Sequence, residues 1–589
     1  MALIKHPYSL VKFVILFVVL IPLNSVAKTY TIKGKEYSDW SQKARRAYNN
    51  LNSRKEAVWC QIVNINHSQL LEADALQIEL EYNAVYDFYV SYQSGNEAYN
   101  YFHYIGSDKI SDVYLSSLEN YYEATIYAAQ AVYKIYKISE DEAVVTKYEF
   151  EDIQEEPPMA RMTQDSMESN DVTDDLMATV PITTPVIRVL MLYTNAVLSL
   201  TDDYEFSGTS YDRMRSMVYE TINQANESFY NSQVNAHLEL AYLGSTTYNE
   251  SSTTWGNTLQ RFTANGDGYL DEVHTLRNKY KADVCVLFLN DSNACGESQT
   301  IKAVDNTAFC LIYPSNYCRS KFTTIHEIGH LIGCRHNRYI DNHMSPYQYG
   351  HGFCPYTPDN GLTDWRTIMS YPNQLCPTNL ACRRRLYWSN PDVTFNGLPT
   401  GTITYENNAR VWNERASTVS AFRTKDYNIA LTSSSNSTSA LYENYEASNN
   451  ISTNNGYEVQ AGQTVDMAAA NEIRLLPNTH IKSGSTFRAS IRSNADDNTY
   501  PQFVNSRHLS NTVAQNESRI SVFPNPVTNV LTVRSTEVLQ LVRIYDLNGQ
   551  CLLQTAEKEI NVSMLPVGLY LLTAHTSSGE SLQTKFIKQ

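Results

Sequence analysis

Apolar and polar positions alternate in different ways along this chain, and the changes mark its parts. An unbroken apolar run from Phe13 to Leu23, preceded by Lys5 and Lys12, ends at Ser25-Val26-Ala27, a small-x-small cleavage site, so Met1 to Ala27 reads as a signal peptide. The run is well short of the roughly 20 apolar residues that span a bilayer, and no later segment is long and apolar enough. The mature form is therefore expected to lack a transmembrane segment. Val186-Ile-Arg-Val-Leu-Met-Leu-Tyr193 has the character of a strand. A helical period then runs from Tyr211 to about Gln233, with Met214, Met217, Val218, Ile222 and Ala225 on one face. A strand from Ala236 to Leu243, a helical stretch from Tyr269 to Tyr280 and an apolar strand from Ala282 to Leu289 follow. Such alternation predicts a layered α/β unit over residues 185–425.

The flanks differ. Residues 28–184 hold no chemical motif and end in an acidic, exposed linker from Glu149 to Asp175, which suits a pro-segment. Thr432-Ser-Ser-Ser-Asn-Ser-Thr438 reads as a second linker. Short turn-bounded strands, among them Ile473 to Pro477 and Thr486 to Ile491, predict a small β module within 426–518. Residues 519–589 alternate strands and turns, with Asn548-Gly549 as a hairpin signal.

With 46 Lys and Arg against 62 Asp and Glu, the formal charge is −16, and no basic run interrupts it, which argues against a nucleic-acid partner. Eight of the ten cysteines crowd between Cys285 and Cys382. In an exported chain that favours disulfides. Cys376 with Cys382 is the first expected pair and Cys295 with Cys318 the second, while Cys285, inside an apolar strand, reads as a buried thiol.

The chemistry concentrates in His326-Glu-Ile-Gly-His330-Leu-Ile-Gly-Cys-Arg-His336. Four residues apart on a helix, His326 and His330 share a face on which two imidazoles can bind one Zn2+ ion. A glycine at Gly333 can end the helix and turn the chain, bringing His336 round as a third ligand. Three ligands leave a fourth position open for water, with Glu327 beside it as general base, so the arrangement predicts hydrolysis of peptide bonds. A rival reading is a surface adhesin whose metal is structural. Glu327 speaks against it, because a structural site needs no base. Serralysin-type calcium repeats of the GGxGxD kind are missing from the sequence, and nothing else in it bears on Ca2+.

Thr367-Ile-Met369-Ser-Tyr371-Pro372 lies 369 − 336 = 33 residues beyond the third histidine and resembles the Met-turn of the metzincins. The resemblance implies a zincin-like α/β (α+β) domain with a mixed sheet and a long zinc helix. It also implies that Met369 is an apolar floor beneath the ligands and that Tyr371 approaches the metal or the developing oxyanion. Within the metzincins, Ala282 to Phe288, Ala294-Cys-Gly296, Tyr349-Gly-His-Gly-Phe353 and Trp365 to Met369 are similar to the bacterial peptidyl-Asp metallopeptidases, and more distantly to the adamalysins. That likeness implies cleavage on the amino side of Asp. Asn337 departs from it, since those relatives commonly carry Asp after the third histidine.

Latency would need the open zinc position to be blocked. Cys60 is the only cysteine of the pro-segment and a candidate thiolate ligand; a carboxylate or simple steric cover would serve as well. At the other end, Phe523-Pro-Asn-Pro526, Ile544 to Gln550, Leu565 to Leu571 and Lys585-Phe-Ile-Lys588 resemble the sorting domain of the type IX secretion system of Bacteroidetes. The resemblance implies that machinery as a partner, passage across the outer membrane, and release or surface attachment. The other expected partners are protein or peptide substrates.

Overall fold

The computed structural model describes residues 28–149, 184–201, 206–355, 365–372, 382–492 and most of 520–588, apart from short stretches at 96–98, 119–120, 129–130, 524–526, 536–538, 546–550, 567 and 577–580. The signal peptide, most of the acidic linker, Cys376, Pro524 to Pro526 and the Asn548-Gly549 turn lie outside the described residues. The chain divides into two units, one up to Arg507 and one from His508.

The first unit begins with nine strands: β1 (Thr29–Ile32), β2 (Ala57–Asn64), β3 (Ala75–Glu79), β4 (Val85–Gly95), β5 (Tyr99–Gly106), β6 (Asp112–Leu118), β7 (Tyr121–Ala128), β8 (Ala131–Lys137) and β9 (Glu142–Tyr148). They form one sheet in the order β1-β3-β4-β5-β6-β7-β8-β9-β2, with helices α1 (Gln42–Asn52) and α2 (His67–Leu71) beside it. Side chains of opposite faces enter different cores, as the two-residue period of a strand requires. Ile78, Phe102, Val113 and Ile135 belong to a core of the sheet's own. Tyr101, Tyr114, Leu118 and Tyr127 join the core of the domain that follows.

That domain is built on β10 (Val186–Thr194), α3 (Asn195–Thr201), α4 (Ser210–Asn231), β11 (His237–Thr246), α5 (Trp255–Thr263), α6 (Glu272–Tyr280), β12 (Val284–Phe288), β13 (Gly296–Ser298), β14 (Phe309–Ile312), α7 (Asn316–Arg319), α8 (Thr323–Ile332), four two-residue strands and α9 (Asn408–Val419). The four short strands, β15 to β18, begin at Trp365, Arg383, Thr394 and Leu398. The expected strand and helix alternation is present, although α5 was not legible in the pattern. β10 runs parallel to β11 and β12, β12 parallel to β14, and β13 closes the edge antiparallel to β14. Along β10, Val189 and Met191 face a core shared with α4, α8 and α9, whereas Leu190 and Leu192 face α5 and α6. Being covered on both faces explains why β12 is apolar throughout and why β10 is apolar apart from Arg188 and the terminal Thr194.

Beyond residue 425 the structure corrects the expected division into a catalytic domain, a linker and a separate β module. The strands β19 (Asp426–Leu431), β20 (Ala440–Thr453), β21 (Glu458–Val459), β22 (Thr464–Ala469), β23 (Glu472–Leu475), β24 (His480–Ile481) and β25 (Thr486–Ile491) pair in parallel with one another. Ile429 sits beside Ile451 and Ile451 beside Ile473, a step of 451 − 429 = 22 residues, and Tyr442, Thr464 and Thr486 follow the same step. The segment is therefore a parallel β-helix of three coils with three faces. Its β20 pairs antiparallel with β11, so the sheet of the domain runs on without a break, in the order β13-β14-β12-β10-β11-β20-β22-β25. The serine-rich stretch taken for a linker is a corner of the first coil, where the Asn436 amide bonds Gly456 O at 3.1 Å and accepts from Glu458 N at 2.8 Å.

The second unit holds β26 (Ile520–Phe523), β27 (Val530–Ser535), β28 (Leu539–Tyr545), β29 (Cys551–Thr555), β30 (Glu559–Asn561), β31 (Gly568–Thr576) and β32 (Ser581–Lys588). Three strands in the order β26-β27-β30 and four in the order β29-β28-β31-β32 share one core containing Leu531, Val533, Val542, Ile544 and Leu572. Two sheets packed on one core make this unit a β-sandwich. Among the described residues, no helix is long and apolar enough to cross a membrane.

Candidate metal centre

Every residue of α8 is buried. Ile325, Ile328, Leu331 and Ile332 fill the core beneath the sheet, which leaves the face of His326 and His330 for chemistry. At ten residues the helix is shorter than the long zinc helix expected. It stops at Gly333, whose φ of 127° is unfavourable for other residues and where a Cβ would lie 2.9 Å from the Tyr347 ring. The chain turns there and brings His336 back.

The three imidazoles meet: His330 Nε2 lies 2.9 Å and His326 Nε2 3.2 Å from His336 Nε2. His326 Nδ1 is 2.9 Å from Ile368 O, and His330 Nδ1 is 2.8 Å from Cys334 O. A carbonyl only accepts, so both rings carry their proton on Nδ1 and turn the Nε2 lone pair inward. Lone pairs facing one another repel unless a cation lies between them. The donor set thus fits Zn2+, with the backbone carbonyls fixing the ligand tautomers. Among the described residues, these three histidines are the one cluster suited to a metal ion.

Glu327 is fully buried beside them and abuts the edge strand, where a Cβ on Gly296 would stand 2.6 Å from its Oε1. Met369 is also fully buried, and its Sδ would be 2.8 Å from a Cβ on Gly329, placing the thioether under the helix turn that carries the ligands. The Tyr371 ring centroid is 4.6 Å from that of His336 and 6.0 Å from that of His326. Each residue of the sequence motif is therefore gathered at one place.

Cys60 is not. It lies on β2 with its thiol 2.6 Å from Thr146 Oγ1, and burial pushes its pKa up, which disfavours the thiolate a metal would need. Of the two expected disulfides, Cys295–Cys318 is formed. Cys382 is also disulfide-bonded, and Cys285 is a buried thiol.

Several neighbours of the site take part in contacts that the sequence did not show. Asn337 accepts from Tyr371 N at 3.0 Å and donates to Tyr371 O at 3.2 Å. Arg335 bonds Asp341 at 2.8 Å; although burial pushes that carboxyl up, Arg335 holds it below the ordinary carboxylate range. His351, quoted in the sequence only as part of a resemblance, is fully buried, and burial pushes its pKa down.

Residues 183–387 match the metallo-peptidase family M12, and residues 521–589 match a secretion system C-terminal sorting domain. The chain is 38% identical over 242 residues to a peptidyl-Asp metalloendopeptidase of Stenotrophomonas maltophilia, covering 41% of this chain and 54% of that protein. A peptidyl-Asp metalloendopeptidase of Xanthomonas campestris is 37% identical over 238 residues, covering 40% and 52%. The chain thus spans about half the length of these curated relatives. It covers 100% of a peptidyl-Asp metalloendopeptidase of Pseudomonas fragi at 32% identity over 200 residues, which is 34% of this chain.

Proposed function

Because the chain belongs to the M12 metallopeptidases, alongside the peptidyl-Asp metalloendopeptidases, we propose that it is an exported zinc-dependent endopeptidase that hydrolyses peptide bonds in extracellular proteins. The observation that carries the reading is the convergence of three imidazole Nε2 atoms next to a buried carboxylate. His326, His330 and His336 would hold the ion. Bound there, zinc supplies Lewis-acid polarisation of the scissile carbonyl and lowers the pKa of water.

Glu327 acts as the general base: it takes the proton of the attacking water and returns it to the leaving amine. Among the described residues, strand β13 pairs with β14 alone, and its outer edge can offer backbone groups to an extended peptide. A peptide on that edge passes Gly296, and hence Glu327. Tyr371, packed on His336, is suited to donate its hydroxyl to the developing oxyanion. From the names of the relatives comes a finer proposal, cleavage on the amino side of Asp. Profiling cut sites in a digested peptide library tests it, with Asp enriched directly after the cut as the expected result.

Residues 28–184 act as a pro-segment by steric cover. In support, the face of β5 to β7 shares a core with α4 and α8, and Arg319, just ahead of the zinc helix, is held by Glu123 at 2.9 Å. The three ligands and Glu327 are at most 2% exposed in the full chain, so substrate enters only after the chain opens. The C-terminal sorting domain marks the protein for export across the outer membrane.

The test is hydrolysis of casein by the processed enzyme, with and without a chelator, beside Glu327→Ala. Loss of activity in both is expected, with zinc retained by the variant. A structural metal in an adhesin would leave no hydrolysis to lose.

A further inference from the structure

A buried histidine outside the metal-binding set is tied to that set by one bond. His351 Nδ1 lies 2.8 Å from the backbone oxygen of His336, the third ligand. The acceptor is a carbonyl, so His351 must be the donor. Its other nitrogen, Nε2, is buried and has no hydrogen-bond partner among the described residues. A fully buried imidazole that satisfies only one of its two polar atoms is poor core material, and an apolar ring would pack there without loss. The one side-chain bond that it makes accounts for a histidine at this position.

The rest of the residue is held on a rail. His351 N donates to Tyr405 O at 3.1 Å, and its carbonyl accepts from Ser389 Oγ at 2.6 Å. On either side, Arg335 N donates to Gly350 O at 2.6 Å and Gly352 N to Arg335 O at 2.9 Å, so the segment pairs with the turn that delivers His336. Gly352 presses on the Met-turn, where a Cβ would stand 2.6 Å from the Met369 carbonyl carbon. His351 is thereby fixed to both supports of the metal centre and grips the peptide of the one ligand that does not ride on a helix.

We infer that His351 is a positioning residue for His336: its Nδ1–H sets the orientation of the ligand's peptide, and through it the affinity of the site for zinc. The inference rests on the zinc reading above. Ligand-orienting partners of this kind typically change metal affinity by about 10- to 100-fold when removed.

The experiment uses the full chain carrying Glu327→Ala, to prevent self-digestion, and measures zinc affinity by competition with a chromophoric chelator. His351→Phe keeps the volume and removes the donor; weaker binding by about 10- to 100-fold is expected, with an altered absorption spectrum of the cobalt-substituted protein. His351→Asn places an amide N–H near the position of Nδ1 and should recover most of the affinity. Wild-type affinity and spectrum in the Phe variant overturn the inference. Should that variant fail to fold, Asn against Gln decides: Gln carries its amide one methylene too far, and equal affinity for the two overturns the inference. Absence of stoichiometric zinc from the parent chain instead overturns the metalloprotease reading itself.

Discussion

Asn337 and Tyr371 are joined by two hydrogen bonds that run in opposite directions, one from the tyrosine's N–H to the side-chain oxygen and one from the side-chain amide to the tyrosine's carbonyl. An ionised carboxylate can accept but cannot donate, so it plays only the first part. Asn337→Asp keeps the first bond and sets a carboxylate oxygen against Tyr371 O. The expected result is a loss of about 1–3 kcal/mol of stability, read as a lower thermal midpoint at neutral pH. An unchanged midpoint would show that the clamp does not stabilise the Met-turn.

Gly296 leaves room for the general base. A methyl group there would stand 2.6 Å from Glu327 Oε1 and 2.7 Å from Thr323 Cγ2, and the carboxylate must shift to admit it. Gly296→Ala should lower kcat by about 10-fold or more, since misplacement by 1 Å has been enough to cost about 100-fold in well-organised sites. KM should change much less. Steady-state kinetics on a fluorogenic peptide separate the two, and a purely raised KM would contradict the placement.

At the seam between β11 and β20, burial and the nearby Glu446 carboxylate push Glu239 up to about 7, with Arg188 opposing. A free glutamate titrates near 4.3, so the native state holds this proton more tightly than the unfolded chain. Stability from the group is full below about pH 4 and is lost as pH rises towards 7. Glu446 shifts the other way, because Arg188 and Lys425 overcome its burial. Glu239→Gln imitates the protonated form and should flatten the decline in thermal midpoint between pH 5 and 8. Parallel profiles for the two proteins would rule this out.

The Cys295–Cys318 bond closes a loop of 23 residues between the lead-in to the edge strand and α7. Replacing both cysteines by serine should cost about 3 kcal/mol, the chain-entropy value for a loop of this size. Chemical denaturation of the double variant beside the parent checks the figure.

The metal centre was legible because a helix converts the spacing of His326, Glu327 and His330 directly into a shared face, and Gly333 marks where that helix must stop. Gly296, Asn337 and His351 were not, since their roles arise from strands and loops that meet only in the folded chain. The β-helix is a different kind of miss. Its 22-residue step stood in the sequence as Ile429, Ile451 and Ile473, and again as Thr464 and Thr486. Read over short windows, that step dissolves into a polar stretch and a few isolated strands. Comparing the segment with itself at a fixed offset would have exposed it.

The pairing of β11 with β20 has a practical side for anyone expressing this enzyme in pieces. A fragment trimmed at residue 425, just ahead of the β-helix, would strip the neighbour from β11 and leave its backbone groups ready to recruit other molecules. Such a fragment should precipitate at concentrations where a version extended through the third coil stays in solution.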